Sequence, residues 1–218
     1  KCTDIYISTK TKISFLNKNI NLIEDFWKIP VIDYNQPCEG VVKKQIKINS
    51  KSKEDVDDIY KRLENENIYN NQIISSIDNP ENNKIKFKDV RKITIGISKK
   101  DITSHRCKQK SAFYNCFVVT LRILYKGIFK EIHVKIFNTG KLEIPGIQND
   151  EILEIVLTNI LKILEKILNM KLEILHDKTE NVLINSNFNC GFYIDRELLF
   201  NLLRYKYHIN ASYDPCSY

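Results

Sequence analysis

Apolar and polar residues alternate most regularly between Lys108 and Ile147, where strand signals follow one another without interruption. Phe113 to Leu124 is rich in β-branched and aromatic residues, Lys126-Gly127 breaks the run, and Phe129 to Phe137 then alternates strictly. Successive strand side chains point to opposite faces, so Ile132, Val134 and Ile136 share one face and Glu131, His133, Lys135 and Phe137 the other. Asn138-Thr139-Gly140 supplies residues that tolerate positive φ in a tight hairpin; Leu142 and Ile144 resume the apolar face, and Pro145-Gly146 is expected to stop the strand. The pattern predicts a three-stranded antiparallel meander with one face built to be covered and the other basic, polar and aromatic.

Weaker patterns flank it. Asp4 to Phe15 reads as a half-buried strand, and Ile20, Ile23, Phe26 and Trp27 recur at helical spacing with Asn19 as cap and Pro30 as terminator. Val41 to Ile48 is a basic strand. Ser50 to Ser76 looks like an insertion opening on an acidic amphipathic helix with Val56, Ile59, Tyr60 and Leu63 on one face; Asp78 to Asn83 is a loop, and Lys84 to Lys100 returns to strand. After the meander, Asn149 or Asp150 caps a helix to about Lys166 whose apolar stripe, Ile152 to Ile167, is the natural cover for the sheet. Val182 to Phe192 then reads as a strand and Arg196 to Tyr205 as a Leu-rich helix, so the opening strand–helix–turn recurs as a weak internal repeat.

Charge sharpens this picture in one place. Of the formal +7, residues 151–218 contribute −2, whereas Lys84 to Lys110 holds ten basic and two acidic residues. Such a segment attracts phosphate backbones through counterion release, or is a solvated basic loop. No stretch approaches the roughly 20 apolar residues of a membrane helix, so no membrane partner is expected and the protein should be intracellular. The chain begins at Lys1 and stops at Tyr218 in mid-pattern, as a fragment of a longer protein would. Cys2, Cys38, Cys107, Cys116, Cys190 and Cys216 lack Cys-x-x-Cys or His spacing and read as reduced thiols. Neither a metal nor a cofactor is expected. No nucleotide loop, carboxylate pair or nucleophile elbow points to an enzyme. Cys116 and His133 could meet across neighbouring strands as a Cys-His pair, though ordinary strand residues are the plainer reading. Tyr205, Tyr207 and Tyr213 suit either base stacking or, more simply, the packing of a helix end.

Phe137-Asn138-Thr139-Gly140-Lys141-Leu142-Glu143-Ile144-Pro145-Gly146 resembles the TATA-binding-protein family, each of whose two repeats carries a phenylalanine, a short turn, Gly-Lys, a strand and a glycine. Asn185-Ser186-Asn187-Phe188, Gly191-Phe192-Tyr193-Ile194 and Ser212 to Tyr218 are similar to the start of the second repeat, and Ser-Ala-Phe-Tyr-Asn-Cys strengthens the likeness to the divergent members found in large DNA viruses. The resemblance implies an α+β fold: a curved antiparallel sheet covered on one face by helices, a saddle. Residues 1–170 would form one full repeat with an inserted segment at about 50–100, and residues 171–218 the start of a second. It implies a transcription-initiation factor that grips AT-rich promoter DNA by the minor groove, inserting apolar wedges between base steps. By that likeness Phe137 is a wedge and Tyr218 begins another, Arg122 matches a phosphate-contacting arginine and Lys141 the DNA-binding lysine after the turn glycine, Asn185 and Asn187 lie near the polar groove contacts, and Lys135 shares the Phe137 face. Viral transcription factors or RNA polymerase subunits would be its partners, in the host nucleus, a cytoplasmic viral factory or the virion. Glu143 and Pro145 depart from the family, because a carboxylate facing the acceptor-rich A·T minor groove is repelled. The alternative is an interaction scaffold of a viral transcription complex or virion that does not touch DNA.

Overall fold

Lys126 and Gly127 both adopt positive φ, the geometry a two-residue hairpin requires, and the strands they join pair without a break through ten residue pairs, from Cys116↔Phe137 to Tyr125↔Ile128. In the computed structural model, which describes residues 2–78, 87–104 and 113–216, eight strands form one antiparallel sheet among helices. In chain order the elements are β1 (Tyr6–Phe15), α1 (Leu22–Lys28), β2 (Gly40–Ser50), α2 (Lys53–Leu63), β3 (Tyr69–Ile77), β4 (Lys88–Gly96), α3 (Lys99–Thr103), β5 (Cys116–Tyr125), β6 (Ile128–Phe137), β7 (Lys141–Ile147), α4 (Asp150–Leu168), β8 (Glu180–Asn187) and α5 (Arg196–Asn201). The spatial order is β3-β4-β2-β5-β6-β7-β1-β8. The chain divides into two compact units, residues 9–185 and residues 1–8 with 186–218.

In the larger unit α1, α2 and α4 cover one face of the sheet. Asn149 Oδ1 accepts from Ile152 N–H to start α4, and Ile152, Leu153, Val156, Leu157, Ile160 and Leu164 bury the stripe the sequence predicts. Beneath them lie Phe117, Val119, Leu121, Ile123, Ile132, Val134, Ile136, Leu142 and Ile144. Three cations are buried on this face as well. Lys44 Nζ donates to the Ile29 carbonyl at 2.7 Å and the Trp27 carbonyl at 3.3 Å, satisfying the C-terminal end of α1. Arg91 forks onto Asp89 and donates to Tyr60 Oη, which docks the α2 insertion on β4. Lys12 reaches Asp150 at the start of α4.

Several boundaries differ from the sequence reading. The cap of α1 is Asn21 rather than Asn19, since its side chain accepts from Glu24 N–H and its own N–H is taken by Asp25. Pro145-Gly146 does not end β7; it falls where pairing with β1 slips between Lys10↔Ile147 and Lys12↔Ile144, so the pair forms an irregularity and the strand continues to Ile147. β3 and α3 were not anticipated. Gly140 is fixed by close approach: at φ +80°, a Cβ there would lie 2.3 Å from the Lys18 carbonyl. β1 and β8 run antiparallel, with Ser14 Oγ against Thr179 Oγ1 and Asn185 Nδ2 donating to Thr9 Oγ1.

The smaller unit is built differently. α5, capped by Asp195, ends in a π turn at Leu202–Lys206, and none of the unit's described residues is buried; Leu198, Leu199 and Leu202 are exposed. The expected helix from Arg196 to Tyr205 is present over its whole length, its second half in π geometry. The loop around Asn79-Pro80, His105, Cys107 and Tyr218 lie outside the described residues. Among the described residues no helix is long and apolar enough to cross a membrane.

Candidate nucleic-acid interface

Residues directly opposite in an antiparallel ladder share a face, so the register reads out the side of the sheet away from the helices. On β2 it carries Lys43, Gln45 and Lys47; on β4, Lys92 and Thr94; on β5, Cys116, Val118, Thr120 and Arg122. On β6 it carries Glu131, His133, Lys135 and Phe137, on β7 Lys141 and Glu143, and on β1 Ile13 and Phe15. The meander thus segregates as its alternation predicts.

Three of the expected residues form one cluster. Phe137 is half-buried, with Lys141 Nζ 4.8 Å from its ring centroid, an attractive cation–π contact. Lys135 stands between Val118 and Glu143 and bonds the Glu143 carboxylate. Glu143 therefore does not present an isolated negative charge, because its countercharge sits on the next strand. Exposed Phe113 lies 4.9 Å from Lys135 Nζ, and exposed Tyr114 3.7 Å from Lys47 Nζ, so aromatic rings and ammonium groups interleave across this end of the face.

Arg122 sits elsewhere and does something else. It is 6% exposed, donates to the carbonyls of Tyr34 and Gln36 at 3.0 and 2.9 Å, stacks on Tyr34 and lies 3.6 Å from Glu131. Its geometry is that of a clamp on the 33–37 turn rather than of an arginine open to phosphate. Asn185 is exposed on β8 and bonded to Thr9; Asn187 is exposed near the end of the same strand and belongs to the smaller unit. Tyr218 has no described position. Cys116 faces Phe137 whereas His133 faces Thr120, four residues along β5, so they are not the Cys-His pair their sequence allowed. Phe200 contacts the rings of Tyr205 and Tyr213 at the end of α5, and Tyr205 remains exposed.

α3 adds a feature the sequence reading missed. Asp101 Oδ1 and Oδ2 accept from Lys43 Nζ at 2.7 Å each, and Lys99 N–H donates to Glu131 Oε2 at 2.8 Å, so this short helix rests on the Arg122 end of the same face. Burial opposes ionisation of Asp101, yet bonds from Lys43 and Ser98 outweigh it and hold the carboxyl below its usual range. Desolvation and the nearby Lys100 and Lys43 push the His133 ring below its ordinary range. The Ser98-x-x-Asp101 capping box, with Asp101 accepting from Ser98 N–H, was the available signal for α3. Strict alternation in β2 likewise separates Lys43, Gln45 and Lys47 from buried Val42, Lys44 and Ile46.

The described residues hold no group of three metal-ligating side chains. No family model, curated protein or solved structure matches this chain.

Proposed function

We propose that the protein is a DNA-binding transcription-initiation factor of the TATA-binding-protein type found in large DNA viruses, contacting the minor groove of AT-rich promoter DNA with the sheet face away from α4. The observation that carries the reading is the cluster of Lys47, Lys135 and Lys141 interleaved with Phe137, Phe113 and Tyr114 on that face. Ammonium groups neutralise phosphates while an apolar ring unstacks a base step, the combination a duplex-bending protein needs. The pairing of Glu143 with Lys135 supports it further by removing the expected repulsion. A saddle of two repeats is supported by the recurrence of strand and helix at β1–α1 and β8–α5 and by the adjacency of β1 and β8, the equivalent strands of the two repeats. Such a factor works in the nucleus or a viral factory. Fluorescence anisotropy with AT-rich and GC-rich duplexes tests the proposal: tighter binding to the AT-rich duplex is expected, and no binding to either at low salt overturns it.

The second reading, a scaffold for polymerase subunits or virion components, draws on a different observation. α3 and the 33–37 turn already occupy the Arg122 end of the face. β3, an edge strand from Tyr69 to Ile77 with no charged residue and exposed Tyr69, Ile73 and Ile77, is also open to strand addition. Pull-down with nuclease treatment separates the two readings, since a scaffold keeps its protein partners and a DNA-only factor loses everything.

A further inference from the structure

We propose that Cys2 and Cys190 are a redox-active dithiol that closes to a disulfide when it meets a low-molecular-weight disulfide such as oxidised glutathione. Thr3 N–H donates to the Asn189 carbonyl at 2.8 Å, and Asn189 N–H donates to Thr3 Oγ1 at 2.7 Å. One step outward on each segment come Cys2 and Cys190, with Cys2 Sγ 3.8 Å from the Cys190 carbonyl oxygen. Opposed residues on antiparallel segments hold their Cα atoms about 4.5–5.5 Å apart, inside the 4.4–6.8 Å span of protein disulfides. The Thr3–Asn189 pair one residue inward and the contact of Cys2 Sγ with the Cys190 carbonyl bring the two cysteines within reach of such a bond. The remaining described cysteines lack such a mate: Cys38 and Cys216 are exposed and Cys116 is buried against β6.

Exposure sets the order of the chemistry. Cys2 is open to solvent and Cys190 only partly so. The Cys2 thiolate attacks one sulfur of oxidised glutathione, expelling one glutathione thiolate and leaving Cys2 as the mixed disulfide. The Cys190 thiolate then attacks the Cys2 sulfur, forms the intramolecular bond and expels the second glutathione. Two protein thiols are oxidised and one external disulfide is reduced to two thiols, with the two thiol protons passing to solvent or to the departing thiolates. Desolvation, with Cys2 close by, raises the Cys190 thiol above its ordinary range, so the closing step accelerates as pH rises. Because the smaller unit buries none of its described residues, this bond would be a covalent tie in a region held otherwise by surface contacts. The proposal is independent of whether the chain binds DNA.

The test equilibrates the full chain with reduced and oxidised glutathione at several ratios, alkylates the remaining thiols and maps peptides without reduction. A Cys2–Cys190 linked peptide is expected, lighter by two hydrogens than the two thiol peptides together, with Cys38 and Cys216 carrying glutathione or alkyl groups. Cys190→Ser should leave Cys2 trapped as the glutathione mixed disulfide, while Cys216→Ser should leave the linked peptide unchanged. The link should form several-fold faster at pH 8.5 than at pH 7. Recovery of Cys2 only as a mixed disulfide in the unsubstituted chain, or linked equally to Cys38 or Cys216, overturns the proposal.

Discussion

Phe137 and Glu143 stand on one face of adjacent strands, and each has a lysine as its neighbour, which changes what either can do alone. The ring of Phe137 is outside the cluster of apolar side chains beneath α4, so Phe137→Ala removes little core packing. Its melting temperature should fall by no more than a few degrees, while DNA affinity and bend angle both drop, an unstacked base step being worth a few kcal/mol. Calorimetry and a fluorescence-based bend measurement on the same variant check this; a large stability loss with unchanged bending would return Phe137 to the core. Glu143→Gln leaves Lys135 without its carboxylate partner, so DNA affinity should rise several-fold at low salt. Unchanged affinity would place Lys135 away from the phosphates. The family likeness and the structure diverge most at Arg122. A motif carries the residue type, but the hydrogen bonds to Tyr34 and Gln36 come from a turn 86–88 residues earlier, and no local pattern encodes that meeting.

Among the elements, the meander and α4 were legible because burial on one side forces periodicity: period two in β6, and near 3.6 in the Ile and Leu positions of α4. β3 was not, because Tyr-Asn-Asn-Gln-Ile-Ile-Ser-Ser-Ile neither alternates nor buries a face, and pairing with β4 alone orders it. α3, five residues long, is too short for any period and is held by Lys43 and Glu131 from distant strands. Two predictions follow from these contrasts. Ile160→Asp or Leu164→Asp should abolish the cooperative thermal transition, since each side chain is fully enclosed and an unpaired buried charge costs several kcal/mol, a large part of total stability. Asp101→Asn should do the reverse of damage. The Lys43–Asp101 pair is partly exposed and contributes less than about 1 kcal/mol, so stability barely changes. Lys43, relieved of its carboxylate, becomes available to phosphate, and DNA affinity should rise a few-fold in anisotropy titrations. A fall in affinity would mean that α3 belongs to the binding surface rather than competing with it.

At the scale of the whole molecule, the distribution of charge over the two sides of the sheet separates specific use of one face from generic attraction of a +7 chain to DNA. Lys47, Lys135 and Lys141 are half-buried on the face away from α4, whereas Lys61 is exposed on α2, which packs on the opposite side. Each phosphate neutralised in a B-DNA complex steepens the fall of log affinity with log salt by about 0.9. If the proposed face is the one that meets the duplex, Lys141→Ala should make that slope shallower by about 0.9 and Lys47→Ala by a similar amount, while Lys61→Ala leaves it unchanged. Folding does not confound the comparison, because none of the three lysines is buried, and circular dichroism is to check each variant's fold before titration. Equal losses of slope in all three would show that the chain meets DNA through net charge alone, in no fixed orientation. That outcome would remove the sheet face as a binding site and leave the scaffold reading to account for the fold.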